Sequence, residues 1–243
     1  LRFGVCAGPE RAREILAAGF DYVEVGAIGF QGRSESWDPS PYEGVPIAAT
    51  NLFFPADMPL YASDWREYAG RTIERAISLG VETMVVGSGG ARRSTPEVPI
   101  EEAEERFLDV VAACQEMAGD ALVLAPESLH RGETDVWNDS GRLAARLAER
   151  GLAFTADSYH ILREWEASGS PDLAAWMRER VPHRPWHVHL ADIRRQPPDP
   201  DDPQMVLFAA RIRELGYART VSLECSVEDL AAARRNLDRI FSV

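Results

Sequence analysis

Four residues stand out because each ends an apolar run with a group that can bind a cation or move a proton. Glu127 closes "LVLAPE", Asp157 closes "AFTAD", His189 closes "WHVH" and Glu224 closes "VSLE". Three carboxylates cannot share one small space without a positive charge, because their repulsion would raise their pKa values. A divalent cation resolves this. Two glutamates, one aspartate and one histidine form an oxygen-rich set with one nitrogen, which favours Mn2+, Mg2+ or Co2+, with Zn2+ as a further candidate. Such an ion can chelate adjacent carbonyl and hydroxyl oxygens of a hydroxy-ketone and stabilise the enediolate left when a carbon-bound proton departs. Two glutamates flanking one metal suit acid/base work: one takes the proton and the other returns one. Return to the other face of the same carbon is epimerisation, and return to the neighbouring carbon is aldose–ketose isomerisation. Each residue also has a structural reading: Glu127 as a helix-start carboxylate, Asp157 as an N-cap, His187 and His189 as hydrogen-bonded core histidines. The four together, at successive late strand ends, favour a metal site.

The elements that must position them follow one rhythm. Strand-length apolar runs alternate with helical patterns: 2–6, 21–27, 47–54, 83–90, 121–128, 152–160, 185–192 and 220–226 read as strands. Between and after them lie segments such as "DWREYAGRTIERAISLG" and "PIEEAEERFLDVVAACQEMAG". Pro99 stands just ahead of the latter helix, and acidic residues fill its first turn. Ser226 reads as the N-cap of the last helix. About eight strand–helix units imply an α/β fold, a (β/α)8 barrel in a single domain over residues 1–243. Catalytic groups of such a barrel sit at the C-terminal strand ends, where Glu127, Asp157, His189 and Glu224 would converge. The segments 29–44 and 195–204 read as long loops on that same face. The competing doubly wound sheet wants a glycine-rich phosphate turn after strand one, and "CAGPERA" is not one.

Charge and composition narrow the partners. The formal net charge is -13, so nucleic acid is not expected as a partner. No apolar run has the length of a membrane helix, and no secretory signal is visible at "LRFGVC". Three cysteines far apart favour neither a zinc ribbon nor a disulfide framework, and a cytoplasmic setting is expected. All 26 basic residues are arginine, so a lysine Schiff base is impossible. The hydroxy-ketone chemistry of the four residues makes a small carbohydrate the expected partner, with a homo-oligomer left open.

The segments "PESLHRGETD", "DSYH", "HVHLAD" and "SLEC" resemble, in order and spacing, the motifs of the xylose isomerase-like TIM barrel superfamily. That group takes in sugar phosphate isomerases/epimerases, ketose 3-epimerases, hydroxypyruvate isomerase and, more distantly, endonuclease IV. "VVGSGGARR" resembles its loop after strand four. The resemblance implies Glu127, Asp157, His189 and Glu224 as metal ligands, with Glu127 and Glu224 as acid and base. It implies Glu133 on a substrate hydroxyl, His160 near the reacting carbon, and Arg195 facing the enediolate oxygen. A dehydratase or a hydroxypyruvate-type isomerase would use the same site. An endonuclease IV-like nuclease fits less well, because five histidines do not supply its three-metal cluster. A non-catalytic sugar-binding barrel is disfavoured by the full acid/base set.

Smaller features carry paired readings. His187, one residue pair deeper than His189, is expected to orient a ligand or close the pocket floor. Asp192 is expected to anchor the loop carrying Arg195. Glu24, ending the second strand, is either a substrate contact or an ion-pair partner at the barrel mouth. "GSGG" (87–90) is a tight turn or a phosphate cradle, with Arg92 and Arg93 keeping the second reading alive. Trp37, Phe53, Phe54 and Trp137 are core residues or an apolar pocket wall. Cys6 and Cys225 read as small hydrophobes, and His130 and His183 as surface or supporting residues.

Overall fold

The structure is a computed structural model that describes residues 1–61 and 64–242; Ala62, Ser63 and Val243 of the expected domain lie outside the described residues. Eight parallel strands run β1 Arg2–Cys6, β2 Tyr22–Gly26, β3 Ala49–Asn51, β4 Thr83–Val86, β5 Val123–Pro126, β6 Thr155–Asp157, β7 His187–Leu190 and β8 Thr220–Leu223. Neighbours pair in the order β5-β4-β3-β2-β1-β8-β7-β6. One isolated parallel bridge, Glu127 with Thr155, joins β5 to β6, and Thr155 Oγ1 donates to the Ala125 carbonyl at 2.9 Å across the same seam. The result is the expected (β/α)8 barrel.

The outer layer holds α1 Ala12–Ala17, α2 Arg66–Ser78, α3 Ile100–Ala118, α4 Ser140–Glu149, α5 Ser158–Ser168, α6 Leu173–Arg180, α7 Pro203–Glu214 and α8 Leu230–Phe241. The main core lies between strands and helices, where outward residues such as Val188, Leu190, Val221 and Leu223 are fully buried. Alternation sends the other set inward.

That inward set is unusually polar. Register aligns Gly4 with Tyr22 and Ser222, His187 with Thr155 and Thr220, and Asp157 and Ser222 with His189. Tyr22 Oη and Ser222 Oγ share a hydrogen bond of 2.7 Å. A Cβ at residue 4 would overlap the Tyr22 ring, so glycine gives this ring its space. Most barrels fill this space with layers of branched apolar side chains; here hydroxyls, imidazoles and carboxylates fill it.

Two sequence expectations change. The run 152–160 is not one strand, because β6 ends at Asp157 and α5 starts at Ser158 with no linker. The last helix is capped by Asp229, whose side chain accepts from Ala232 N at 2.8 Å, and not by Ser226. The segment 29–44 is a long loop as expected, with short 3-10 turns at Ala27–Phe30 and Ser40–Tyr42 between β2 and β3.

Candidate metal centre and pocket

The barrel brings Glu127, Asp157, His189 and Glu224 together at its C-terminal face. Glu127 follows β5, with its N–H on the Val86 carbonyl of β4 at 3.3 Å; Glu224 follows β8, with its N–H on Leu190 of β7 at 3.2 Å. Main-chain pairing thus fixes both glutamates before their side chains are considered. His189 Nδ1 stands 3.2 Å from Glu127 Oε2, 3.6 Å from Asp157 Oδ2 and 3.8 Å from Glu224 Oε2.

The opposite nitrogen of His189 decides what Nδ1 can do. Nε2 meets Glu24 Oε1 at 2.7 Å, and a carboxylate can only accept, so Nε2 carries a proton. Nδ1 then holds either a second proton or a lone pair aimed among three carboxylates. Burial disfavours an imidazolium here, but Glu24, Glu224 and Glu127 outweigh it and push the His189 pKa well above its ordinary value. A cation at Nδ1 would replace that proton.

Asp157 serves two functions with two oxygens. Oδ1 accepts the His160 N–H at 3.0 Å and caps α5, so the cap reading is correct. Oδ2 is buried with no hydrogen-bond partner. An orphaned carboxylate oxygen beside a histidine lone pair and two glutamates is what a divalent ion would satisfy, so these residues fit one. Burial opposes ionisation of Asp157, yet His160 and His189 hold its carboxyl below the usual carboxylate range. Burial pushes Glu224 well above its ordinary value, with His189 and Arg195 pulling back against Glu127 and Asp157.

His160 brings a donor atom within 4.8 Å of Glu127, Asp157 and Glu224, whereas His189 groups in the same way with Cys6 and Glu24, so both are candidates for the nitrogen ligand. Their hydrogen bonds differ. His160 Nδ1 accepts the His130 N–H at 3.1 Å, which places the proton of a neutral ring on Nε2. Ligation through Nε2 would require that proton on Nδ1, where it would meet the His130 N–H. The same reasoning removes the cluster of His130, Glu133 and His160, since His130 Nδ1 accepts the Gly132 N–H at 3.0 Å.

A cavity of about 410 Å³ opens over this centre. Its lining combines polar Glu127, Glu133, His160, Arg195 and Glu224 with apolar residues such as Leu52, Phe54 and Leu129. Arg195 bridges Glu133 Oε1 at 3.1 Å and Glu224 Oε2 at 2.9 Å, with its guanidinium 4.8 Å from the Tyr159 ring centre. Asp192 anchors this loop by accepting from Arg194 N at 2.8 Å and Gln196 N at 2.7 Å, and Arg195 itself sits at φ +59°.

Glu24 is the expected partner of charged or imidazole groups, His187 and His189, but it lies fully buried in the middle of β2 and not at the strand end or barrel mouth. Its Oε2 accepts from His187 Nε2 at 3.0 Å, while His187 Nδ1 meets Thr220 Oγ1 at 2.8 Å. Burial would raise its pKa, but the two histidines hold it well below the carboxylate range. A glutamate inside an apolar strand was the signal that sequence reasoning could have weighted more. His187 is fully buried against Glu24 and Thr220, and burial lowers its pKa against the pull of Glu24.

The remaining features sort by geometry. Segment 87–90 is a turn with Ser88 at φ +50° whose Oγ accepts the Phe54 N–H at 2.9 Å, and it lines the cavity. Arg92 does not reach the cavity; it is fully buried, donates to the Glu127 carbonyl at 2.9 Å and lies over Phe107, and burial lowers its pKa to about 10. Arg93 donates to the Glu133 carbonyl at 2.6 Å. Of the four aromatics only Phe54 lines the cavity; Phe53 and Trp137 are core and Trp37 packs against it. His130 is half-buried and supports His160, whereas His183 packs on Phe154 away from the site. Burial pushes the Cys6 thiol up, and raises Cys225 to about 12, so neither is a ready nucleophile.

A family model described as xylose isomerase-like TIM barrel matches residues 12–242. No curated protein matches the sequence. Among solved structures, 3-keto-D-glucoside 4-epimerase YcjR from E. coli superposes with a TM-score of 0.73 at 18% identity, covering 100% of both chains. D-psicose 3-epimerase, solved in the presence of D-fructose, gives 0.74 at 15%, covering 100% of this chain and 95% of its own. The IOLI protein with a bound zinc atom gives 0.64 at 13%, covering 100% and 98%. At such identities these likenesses show a shared fold. Among the described residues no helix is long and apolar enough to cross a membrane.

Proposed function

From the premise that this chain belongs to the xylose isomerase-like TIM barrel family, we propose that it is a divalent-metal-dependent sugar isomerase or epimerase. One observation carries the reading: His189 Nδ1 lies within 3.8 Å of carboxylate oxygens from Glu127, Asp157 and Glu224, two of which border the cavity. Glu127, Asp157, His189 and Glu224 would hold the ion, with Mn2+, Mg2+ or Co2+ favoured by three oxygens and one nitrogen. When bound, the ion supplies Lewis-acid polarisation of a substrate carbonyl.

The chain's own residues supply the rest. One of Glu127 and Glu224 accepts the proton on the carbon next to the carbonyl, and the electron pair moves into an enediolate. The other carboxyl group donates a proton to the opposite face of that carbon, or to its neighbour as the hydroxyl proton passes to the former carbonyl oxygen and the new carbonyl forms. The two glutamates exchange protonation states and reset in the reverse direction or through solvent. Arg195, already held between Glu133 and Glu224, offers cationic N–H groups to the enediolate oxygen. Glu133 and the Nε2–H of His160 bind substrate hydroxyls. Family neighbours named as epimerases of keto-sugars support this class. The substrate is a small carbohydrate and the setting cytoplasmic in this reading.

The test is carbon-bound proton exchange. Chelator-treated protein reloaded with Mn2+ or Co2+ should exchange substrate protons with D2O on a panel of ketoses, and Glu224→Gln should not. Absence of both metal binding and exchange in the wild type sinks the proposal. Dehydration of a keto-polyol, or hydroxypyruvate-type isomerisation, would appear in the same NMR spectra as different products.

A further inference from the structure

We propose that Glu24 is the positioning residue that selects which nitrogen of His189 faces the carboxylates. This rests on the metal centre proposed above and concerns how the chain prepares its histidine for an ion.

A neutral imidazole without a partner exchanges its proton between Nδ1 and Nε2, and only the Nε2–H form leaves a lone pair on Nδ1. Glu24 removes the choice. It comes from β2 and reaches beneath β1 and β8 to both histidines of β7. Its two oxygens each accept one imidazole N–H, at 2.7 Å from His189 and 3.0 Å from His187. The second contact holds the first. His187 is itself held, since its Nδ1 meets the Thr220 hydroxyl at 2.8 Å while Nε2 donates to Glu24 at 3.0 Å. Thr220, His187, Glu24 and His189 thus form one continuous hydrogen-bonded line, and each member is buried. The same carboxylate places a negative charge behind the ligand ring, which raises its donor strength.

The rival is an ion pair that only stabilises the barrel floor. It predicts lower thermal stability in Glu24 variants and unchanged metal affinity of the folded protein. The test uses the full chain and Co2+ alone, titrated into chelator-treated wild type, E24Q and E24L. The amide of E24Q keeps one acceptor for His189 and loses the charge, so affinity should drop about 10-fold; E24L leaves Nε2 without an acceptor, and the drop should be about 100-fold. In the zinc-loaded, 15N-histidine-labelled wild type, the His189 Nε2–H proton should be protected from solvent exchange, and E24L should lose that signal. Co2+ affinities within about twofold of wild type in folded E24Q and E24L overturn the assignment, and if E24L does not fold, E24Q alone decides. Failure of the wild type to bind Co2+ sinks the metal centre instead.

Discussion

Gly87 lies against Glu127: a Cβ at residue 87 would overlap Glu127 Oε1. The glycine is not needed for an unusual backbone angle there, so its use is space for a carboxylate. Gly87→Ala should fold and should displace Glu127 from its partners. Misplacing a reacting group by about 1 Å can lower rate about 100-fold. Metal titration and proton exchange on G87A check this, and a variant with wild-type values of both would show that Glu127 needs no fixed seat.

His187 and His189 should separate cleanly. His189→Ala removes a ligand and should abolish measurable Mn2+ binding. His187→Ala removes only a support and should weaken binding by about 10-fold. Equal losses in isothermal titration would refute the division of labour between Nδ1 of one ring and the floor position of the other.

Asp157 allows its two oxygens to be tested apart. Asp157→Asn retains an acceptor for the His160 N–H and should keep α5 capped while losing most metal affinity. Asp157→Ala should also lose about 1 kcal/mol of stability with the cap. Chemical denaturation of the metal-free proteins measures the difference; identical stabilities for the two variants would contradict the capping role.

The pH dependence of the metal-free protein follows from His189 and Glu24. His189 has a folded pKa above its unfolded value. Its contribution to stability is complete below about 6.5 and is lost as pH rises through the folded pKa. Glu24 has a depressed folded pKa, so its contribution is present above about 4.5 and is lost as pH falls towards the folded value. Metal-free protein should therefore lose thermal stability from about pH 6.5 upward. Metal-loaded protein should not, because the cation takes the place of the proton, and loading at about pH 7 should release acid. Equal pH slopes with and without Mn2+, followed by calorimetry, would remove the proton–metal exchange.

Much of this site was legible because strand ends in a barrel are marked by where apolar runs stop. Glu127, Asp157, His189 and Glu224 were each visible as the carboxylate or imidazole that closes such a run, and the barrel geometry brings those strand ends together. What escaped was set by contacts across the interior or by main chain. Glu24 sits within its apolar run and acquires meaning only when β2 and β7 are seen to face each other. The tautomer of His160 depends on the N–H of His130, a group that every residue type except proline would supply. The start of α5 was hidden because Asp157 ends a strand and caps a helix at once.

Main-chain pairing is sparsest along the seam between β5 and β6, where among the described residues one bridge at Glu127 and Thr155 is joined by the Thr155 hydroxyl bond to the Ala125 carbonyl. Glu127 and Asp157 stand on its two sides, so whatever both hold acts as a clasp on the cylinder. Occupancy and closure then share one free energy by linkage. Slower amide exchange along residues 123–127 and 155–157 should accompany ion uptake, making the breathing of this seam a direct gauge of how full the centre is.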